Sequence, residues 1–370
     1  AMTLHLIKIF MNKIFLILEI LIFQCTINMA QVPTLLPDYP IAKGVSAPFA
    51  GFIKNWLIVG GGCNFPTIPA AEGGKKAYYN QCYALDIHAA SPRWTRISDL
   101  PCSVAYGCSV ETPQGLVCIG GMNADSGLTS VFRIQKAPSS ESFQIHQLPS
   151  LPETIDNASA TMLNECIYIT GGNQQLRQNA LYKLDLQTCD RWQKLSSFPG
   201  PQRVQPILVN DGKKLYLIGG FQAPSDSSAS ILSHDILCYT PQTDKWEYDS
   251  HIPYQGNKEK RCMAGGSGIQ TDTQLILTGG VNYRIFKNAL DGKAGKDYLT
   301  HAPSWYKFNN DILFYDFTHK TWTIKTNISG MARAGGILLH REGYLYMICG
   351  EIKPGIRTPK ITVYPLKKEE

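Results

Sequence analysis

A short apolar run that closes on a glycine pair, or its near-equivalent, occurs six times in this chain. The six are 57–61 (LIVGG), 117–121 (VCIGG), 168–172 (YITGG), 216–220 (YLIGG), 276–280 (ILTGG) and 346–351 (YMICGE). A unit returning every ~50 to 70 residues marks a repeat array, in which each unit buries its apolar faces against its neighbours. The 370 residues are then one closed body rather than two average domains. In the last copy the second glycine reads as Glu351, a carboxylate where the other units have no side chain.

Each glycine pair is followed by a segment of alternating polarity, as in 82–87 (CYALDI), 180–186 (ALYKLDL), 235–239 (DILCY) and 311–317 (DILFYDF). Next comes a strand led by an aromatic residue: Trp94, Phe143, Trp192, Trp246 and Trp322. A small-residue strand such as 333–339 (RAGGILL) then leads into the next glycine pair. Four short strands per unit make one propeller blade, and helical periodicity is nearly absent. Six glycine units against five aromatic strands leave the last blade one strand short. The segment 32–36 with Pro37 behind it has the form of a fourth-strand ending, so the N-terminal strand of the mature chain is expected to close the last blade and remove two free edges. The fold class is all-β, a six-bladed propeller.

Up-and-down strand order places the loops after the glycine pairs and the residues opening each first strand at one mouth of the central channel. Two of those loops are long, 62–79 and 281–310, and long loops on a rigid scaffold carry function.

Apolar content of 44% and charged content of 17% describe an ordinary globular core. The net charge of +6 is mild, and the one short run of lysines, Lys367–Lys368, adjoins two glutamates, so nucleic-acid binding is not expected. At the N-terminus, Lys8 and Lys13 flank the start of an apolar stretch from 14 to 23, and a small residue, Ala30, precedes Gln31. This is the pattern of a secretory signal peptide over 1–30, with the propeller over 31–370. The expected location is periplasmic or secreted, with no stable membrane insertion after signal removal; the other reading of the segment is a retained anchor. Eleven cysteines in an exported chain suggest disulfides, yet Cys118, Cys166 and Cys349 fall inside apolar runs and no metal spacing occurs. Buried free thiols are expected, with Cys63–Cys82 the first pair to test as a bridge.

The segment 350–358 (GEIKPGIRT) is the strongest chemical signal. Lys353-Pro354-Gly355 reads as a tight turn that returns Arg357 to Glu351. A carboxylate at a channel mouth can act as general base, and a guanidinium can grip a carboxylate by two prongs; the pair can equally be an ion pair pinning a loop. Arg203, Arg261 and Arg333 near the starts of first strands can touch ligand or bond to blade carbonyls. Asn282 can orient a ligand hydroxyl or cap its own turn. Trp305, Tyr306 and Phe308 can stack on a sugar or pack as a lid.

A glycine pair followed 20 to 40 residues later by tryptophan resembles the kelch repeat, over nearly all of the mature chain. Within it, 350–358 (GEIKPGIRT), 279–286 (GGVNYRIF) with 294–297 (AGKD), and Ala105-Tyr106-Gly107 resemble the N-acetylneuraminate epimerases, or sialic acid mutarotases. The blade carrying the Asn64-Phe65 loop comes first, which resembles the cyclically permuted branch of that family. The resemblance implies an isomerase that interconverts the α and β anomers of N-acetylneuraminic acid. It implies Glu351 as proton acceptor and Arg357 as its partner or the grip on the substrate carboxylate. Asn282 and Arg203 also fall on positions that match the family, and Arg261, Arg333 and Asn64 join them as candidate substrate-binding residues from their place at the mouth. Val104 stands where the family pattern has arginine. Opening and closing a cyclic hemiketal needs one proton acceptor and one donor, so neither metal nor cofactor is expected. The other reading is a non-catalytic kelch module that binds a glycan or protein partner at the same mouth. A sialidase would carry a Ser-x-Asp-x-Gly-x-Thr-Trp box, and a copper radical oxidase a Tyr/Tyr/His/His set; neither is evident.

Overall fold

The computed structural model describes residues 35–366 apart from 139, 141 and 257. Six antiparallel sheets follow one another along the chain. Blade one pairs Phe49–Ile53, Trp56–Gly60, Cys82–Asp86 and Trp94–Arg96 in chain order. Blades two to five repeat that order from inner strands Cys108–Thr112, Ile155–Leu163, Ile207–Asn210 and Gly266–Gln270. Blade six contributes Ile337–Arg341, Tyr344–Ile348 and Ile361–Pro365. Neighbouring inner strands pack on one another, and that of blade six touches that of blade one, so the ring is a closed propeller.

Side chains alternate between the two faces of a strand, and here both faces are buried. In blade one, Leu57 and Val59 join the apolar cluster shared with blade six, while Ile58 joins the one shared with blade two. The other four interfaces are filled in the same way. This is why the glycine units read as unbroken apolar runs. Each fully buried leucine or isoleucine contributes about 1.5–3 kcal/mol.

Two repeated fastenings hold the ring. Trp192 Nε1 donates to Pro149 O (2.8 Å) and Trp246 Nε1 to Ser196 O (2.9 Å), each acceptor lying just past the fourth strand of the preceding blade. Trp94 of blade one donates to Pro37 O at 3.1 Å. Pro37 thus occupies the place that follows a fourth strand of blade six. Beside it, Leu35 forms an antiparallel bridge with Thr362 on the outer strand of that blade. Most of the expected closing strand, 32–34, lies outside the described residues, as does the expected signal segment 1–30. Among the described residues, no helix is long and apolar enough to cross a membrane.

The cysteines agree with the expectation of free thiols, and the last glycine pair corrects the sequence reading. Cys63 and Cys82 are both free, as are all ten cysteines among the described residues. Cys63 Sγ instead faces Ser46 O and the Tyr106 hydroxyl, while Cys82 packs between blades one and two. Burial pushes the Cys82 thiol up to about 12.

The correction concerns register. In blades two, four and five the paired glycines have φ of +59 and +96, +60 and +89, and +73 and +91. The blade-six residues with that geometry are Cys349 (φ +50) and Gly350 (φ +99), not Gly350 and Glu351. Hydrogen bonds agree: Gly121 N donates to Ile155 O, Gly280 N to Arg333 O, and Gly350 N to Val45 O, each reaching the next blade. A Cβ on Gly350 would lie 2.8 Å from Gly336 Cα, so that position stays glycine. The first position tolerates a cysteine at modest left-handed cost. Glu351 therefore follows the pair, in the place held elsewhere by Cys63, Met122, Asn173, Phe221 and Val281.

Candidate active site

The channel mouth is built on a ring of backbone. Tyr106 N donates to Ala47 O (3.0 Å), Asn157 N to Tyr106 O (2.8 Å), and Gln205 N to Asn157 O (2.8 Å). Gly265 N then donates to Gln205 O (3.3 Å), Gly335 N to Gly265 O (2.7 Å), and Ala47 N to Gly335 O (2.7 Å), closing the circle through all six blades. Every member has positive φ, from +51 at Ala47 to +70 at Gly265. The non-glycine members each accept about 1–2 kcal/mol of left-handed strain. Three neighbouring blades place Tyr106, Asn157 and Gln205 in this collar; the other three place Gly265, Gly335 and Ala47. The mouth is thus crowded on one side and open on the other.

Below the collar the inner strands enclose a channel of about 340 Å³. Above it lies a cavity of about 310 Å³ that includes Glu351, Asn282, Phe286 and Tyr306 in its walls. Tyr106, Gln205 and Gly335 line both spaces.

Glu351 stands on the open side. Its backbone bridges to Ala334, the neighbour of collar residue Gly335 (Glu351 N to Ala334 O, 2.7 Å). It begins the short strand Glu351–Lys353, which pairs with Ile356–Arg357 across a turn where Gly355 has φ +82. Glu351 and Arg357 are directly opposed in this hairpin, and Arg357 Nη2 lies 2.7 Å from Glu351 Oε1. Burial raises the Glu351 pKa above the ordinary carboxylate range, although Arg357, Lys76 and the Gly355 N–H pull it back. The Arg357 guanidinium lies over the Phe65 ring, 4.9 Å from its centroid, and its buried Nε and Nη1 have no hydrogen-bond partner among the described residues. Lys353 Nζ fastens the turn to Leu299 O and His301 O (3.1 and 2.6 Å).

Of the other residues singled out from sequence, Tyr306 and Phe308 of the long loop share the cavity wall with Glu351, as does Asn282. It caps the helix Tyr283–Leu290, its Oδ1 accepting from Ile285 N (3.0 Å), while Nδ2 donates to Glu259 (3.2 Å). That helix, inside the long 281–310 loop, is not among the sequence expectations, though Asn282 as N-cap and its amphipathic run signal it; its apolar side lines the cavity and packs on Leu232, Cys262 and Ala264.

Arg203, Arg261 and Arg333 are buried in the blades. Arg203 donates to Gly219 O, Asp235 O and Asp235 Oδ2 (3.1, 3.2 and 2.7 Å). Arg261 donates to Pro253 O, Asn309 and Asp311 Oδ2, the last at 2.7 Å. Arg333 donates to Cys349 O, Lys360 O and the Thr362 hydroxyl (2.9, 2.6 and 2.9 Å). Each ties the approach to its blade's first strand to the start of the third, the scaffold alternative for these residues. Asn64 is likewise committed, donating to Gly44 O (2.8 Å) and accepting from the Tyr79 hydroxyl (2.7 Å). Trp305 stacks on His301 at 4.0 Å, and Tyr306 and Phe308 pack with it as one wall of the cavity.

Two residues that sequence reasoning did not place in the site stand close to Glu351. Tyr106 was noticed only within a motif, and Lys76 is one of two adjacent lysines in the 62–79 loop. Lys76 Nζ donates to the Tyr106 hydroxyl (3.0 Å), and its charge is felt at Glu351.

Comparison with known proteins agrees with this architecture. The solved structure of YjhT superposes with a TM-score of 0.59 over 89% of this chain and 99% of that one, at 18% identity, which shows the shared fold. An N-acetylneuraminate epimerase of Salmonella typhi is 29% identical over 227 residues, 58% of this chain and 57% of that protein. One from Yersinia enterocolitica is 28% identical over 228 residues, 58% of this chain and 56% of that protein. These matches therefore take in little more than half the length of either relative. The model of the N-acetylneuraminate epimerase family (NANM) matches residues 148–370, which include Glu351 and Arg357. With more than half of its length matched, the chain belongs to the N-acetylneuraminate epimerase family.

Proposed function

We propose that this protein is a mutarotase that interconverts the α and β anomers of N-acetylneuraminic acid at the collar mouth. The observation that carries this reading is Glu351: a carboxylate on a cavity wall, raised by burial, and held 2.7 Å from a buried arginine. Raising the carboxylate pKa makes it a better proton acceptor for a sugar hydroxyl near neutral pH. Arg357 opposes that rise and so favours the ionised form that accepts a proton. Opening begins when Glu351 takes the anomeric proton and the ring C–O bond breaks. Closure on the opposite carbonyl face returns that proton and gives the other anomer.

The sequence match starts at residue 148, whereas the structural likeness spans 89% of the chain. That difference supports a ring whose blades are cut at another point, because a linear comparison follows only one side of the cut. We also propose export of the chain to the periplasm or medium, tested by finding Gln31 as the N-terminus of the mature protein by mass spectrometry.

The test of activity is anomer exchange followed by proton NMR. The wild-type protein is expected to accelerate exchange, and Glu351→Gln to return it to within tenfold of the uncatalysed rate. An unchanged rate in Glu351→Gln removes the base assignment, and no acceleration by wild type removes the function.

A further inference from the structure

We propose that Tyr106, steadied by Lys76, is the proton donor to the sugar ring oxygen, opposite Glu351. The inference rests on the mutarotase reading and assigns the second proton that the reaction requires. When the ring opens, the C–O electron pair passes to the ring oxygen, which must gain a proton. A guanidinium is a poor proton donor, which leaves Arg357 to position rather than to supply it.

Among cavity-lining groups, three are bound by other duties. Asn282 caps its helix, Gln205 donates to Asn157 (2.9 Å), and the Tyr306 hydroxyl donates to Tyr298 O. Tyr106 is different. Its hydroxyl oxygen accepts from Lys76 Nζ at 3.0 Å and lies 3.4 Å from Cys63 Sγ, and among the described residues no oxygen or nitrogen takes its own proton. That proton is therefore available to a molecule in the cavity, whose wall Tyr106 and Glu351 share. Lys76 also lies over the Tyr106 ring, 5.0 Å from the centroid, so it steadies the side chain and faces the charge left after donation. Collar bonds to blades one and three fix the Tyr106 backbone at φ +62, a conformation a tyrosine keeps only when its surroundings impose it.

The step balances. Glu351 takes the anomeric hydroxyl proton, the C–O(ring) pair moves to the ring oxygen, and that oxygen takes the Tyr106 proton. On closure the same hydroxyl returns its proton to the phenolate and attacks the carbonyl, whose oxygen recovers the proton from Glu351. Burial and the Glu351 charge both hold the phenol proton in place before reaction. As Glu351 is neutralised, the second of these influences disappears, which couples the two transfers.

The experiment compares steady-state anomer exchange by NMR in wild type, Tyr106→Phe, Tyr298→Phe, Lys76→Met, Lys76→Arg and Glu351→Gln, each first shown to melt as wild type. Tyr106→Phe is expected to lower kcat about 10²-fold or more with KM within threefold. Lys76→Met should lower kcat about tenfold with the same small change in KM, and Lys76→Arg should recover most of it. If Glu351→Gln is inactive while Tyr106→Phe keeps kcat within threefold, the donor assignment is overturned and the mutarotase reading stands. Loss in Tyr298→Phe in place of Tyr106→Phe also overturns it, because Tyr298 is a further phenol on the wall, and the third, Tyr306, has its hydroxyl bonded to Tyr298 O. Full kcat in Lys76→Met overturns the role of the lysine. If wild type itself does not accelerate exchange, the mutarotase reading and this inference fall together.

Discussion

Replacing Arg357 by methionine should move the acid limb of the pH–rate profile upward. Glu351 works as a base only when ionised, so activity exists above its pKa and is lost as pH falls through it. Burial already raises that pKa, and Arg357 opposes the rise from 2.7 Å. With an effective dielectric of about 20, Coulomb's law gives roughly 6 kcal/mol at that distance as a ceiling. About a fifth of the Glu351 side chain is accessible (22%), so water screens part of this. Carboxylates beside arginine are typically shifted by about 1–3 units, or about 1.4–4 kcal/mol. The limb of kcat/KM is therefore expected to rise by about 1–3 pH units in Arg357→Met. Stability should follow the same sign. A carboxylate whose folded pKa is raised binds its proton more tightly when folded, so its ionisation costs stability as pH rises from the unfolded value through the folded one. Arg357→Met should thus lose more stability at pH 8 than at pH 5 in urea unfolding. A limb that stays in place, or moves down, refutes the reasoning.

Two further variants test the frame that holds the site. Arg333→Ala removes donors from two carbonyls and a hydroxyl in a buried setting and should cost about 2–4 kcal/mol, read as a lower urea midpoint; wild-type stability with a raised KM would mean that Arg333 serves ligand instead. Trp94→Phe deletes the bond to Pro37 O and should cost about 1 kcal/mol, with faster proteolytic nicking near residues 35–40. An unchanged cleavage pattern would mean that this bond does not fasten the N-terminal segment.

Features set by side-chain pattern could be read directly from the sequence. Runs such as 57–61 imply strands buried on both faces, and the aromatic residues mark outer strands because their rings fasten one blade to the next. Pro37 could be recognised as the end of a fourth strand, and the Trp94 bond shows how it is held. Features set by backbone conformation could not. The collar joins Ala47, Tyr106, Asn157, Gln205, Gly265 and Gly335, which share only a positive φ and a bond to the next blade. For the same reason the sixth glycine pair was read one residue late: Cys349 adopts a glycine-like φ, and letters alone do not show it. Correcting that register leaves Glu351 central but changes why. It is the residue that leaves the collar turn upward into the cavity, not a side chain forced into a glycine's place. Lys76 could not be found by pattern because only the folded 62–79 loop brings it to Tyr106.

The most direct test is a crystal structure of the protein with N-acetylneuraminic acid. The account predicts the anomeric hydroxyl within about 2.6–3.2 Å of the Glu351 carboxylate and the ring oxygen toward Tyr106. Sugar bound with its anomeric carbon turned away from Glu351, or bound only outside the collar mouth, would contradict it.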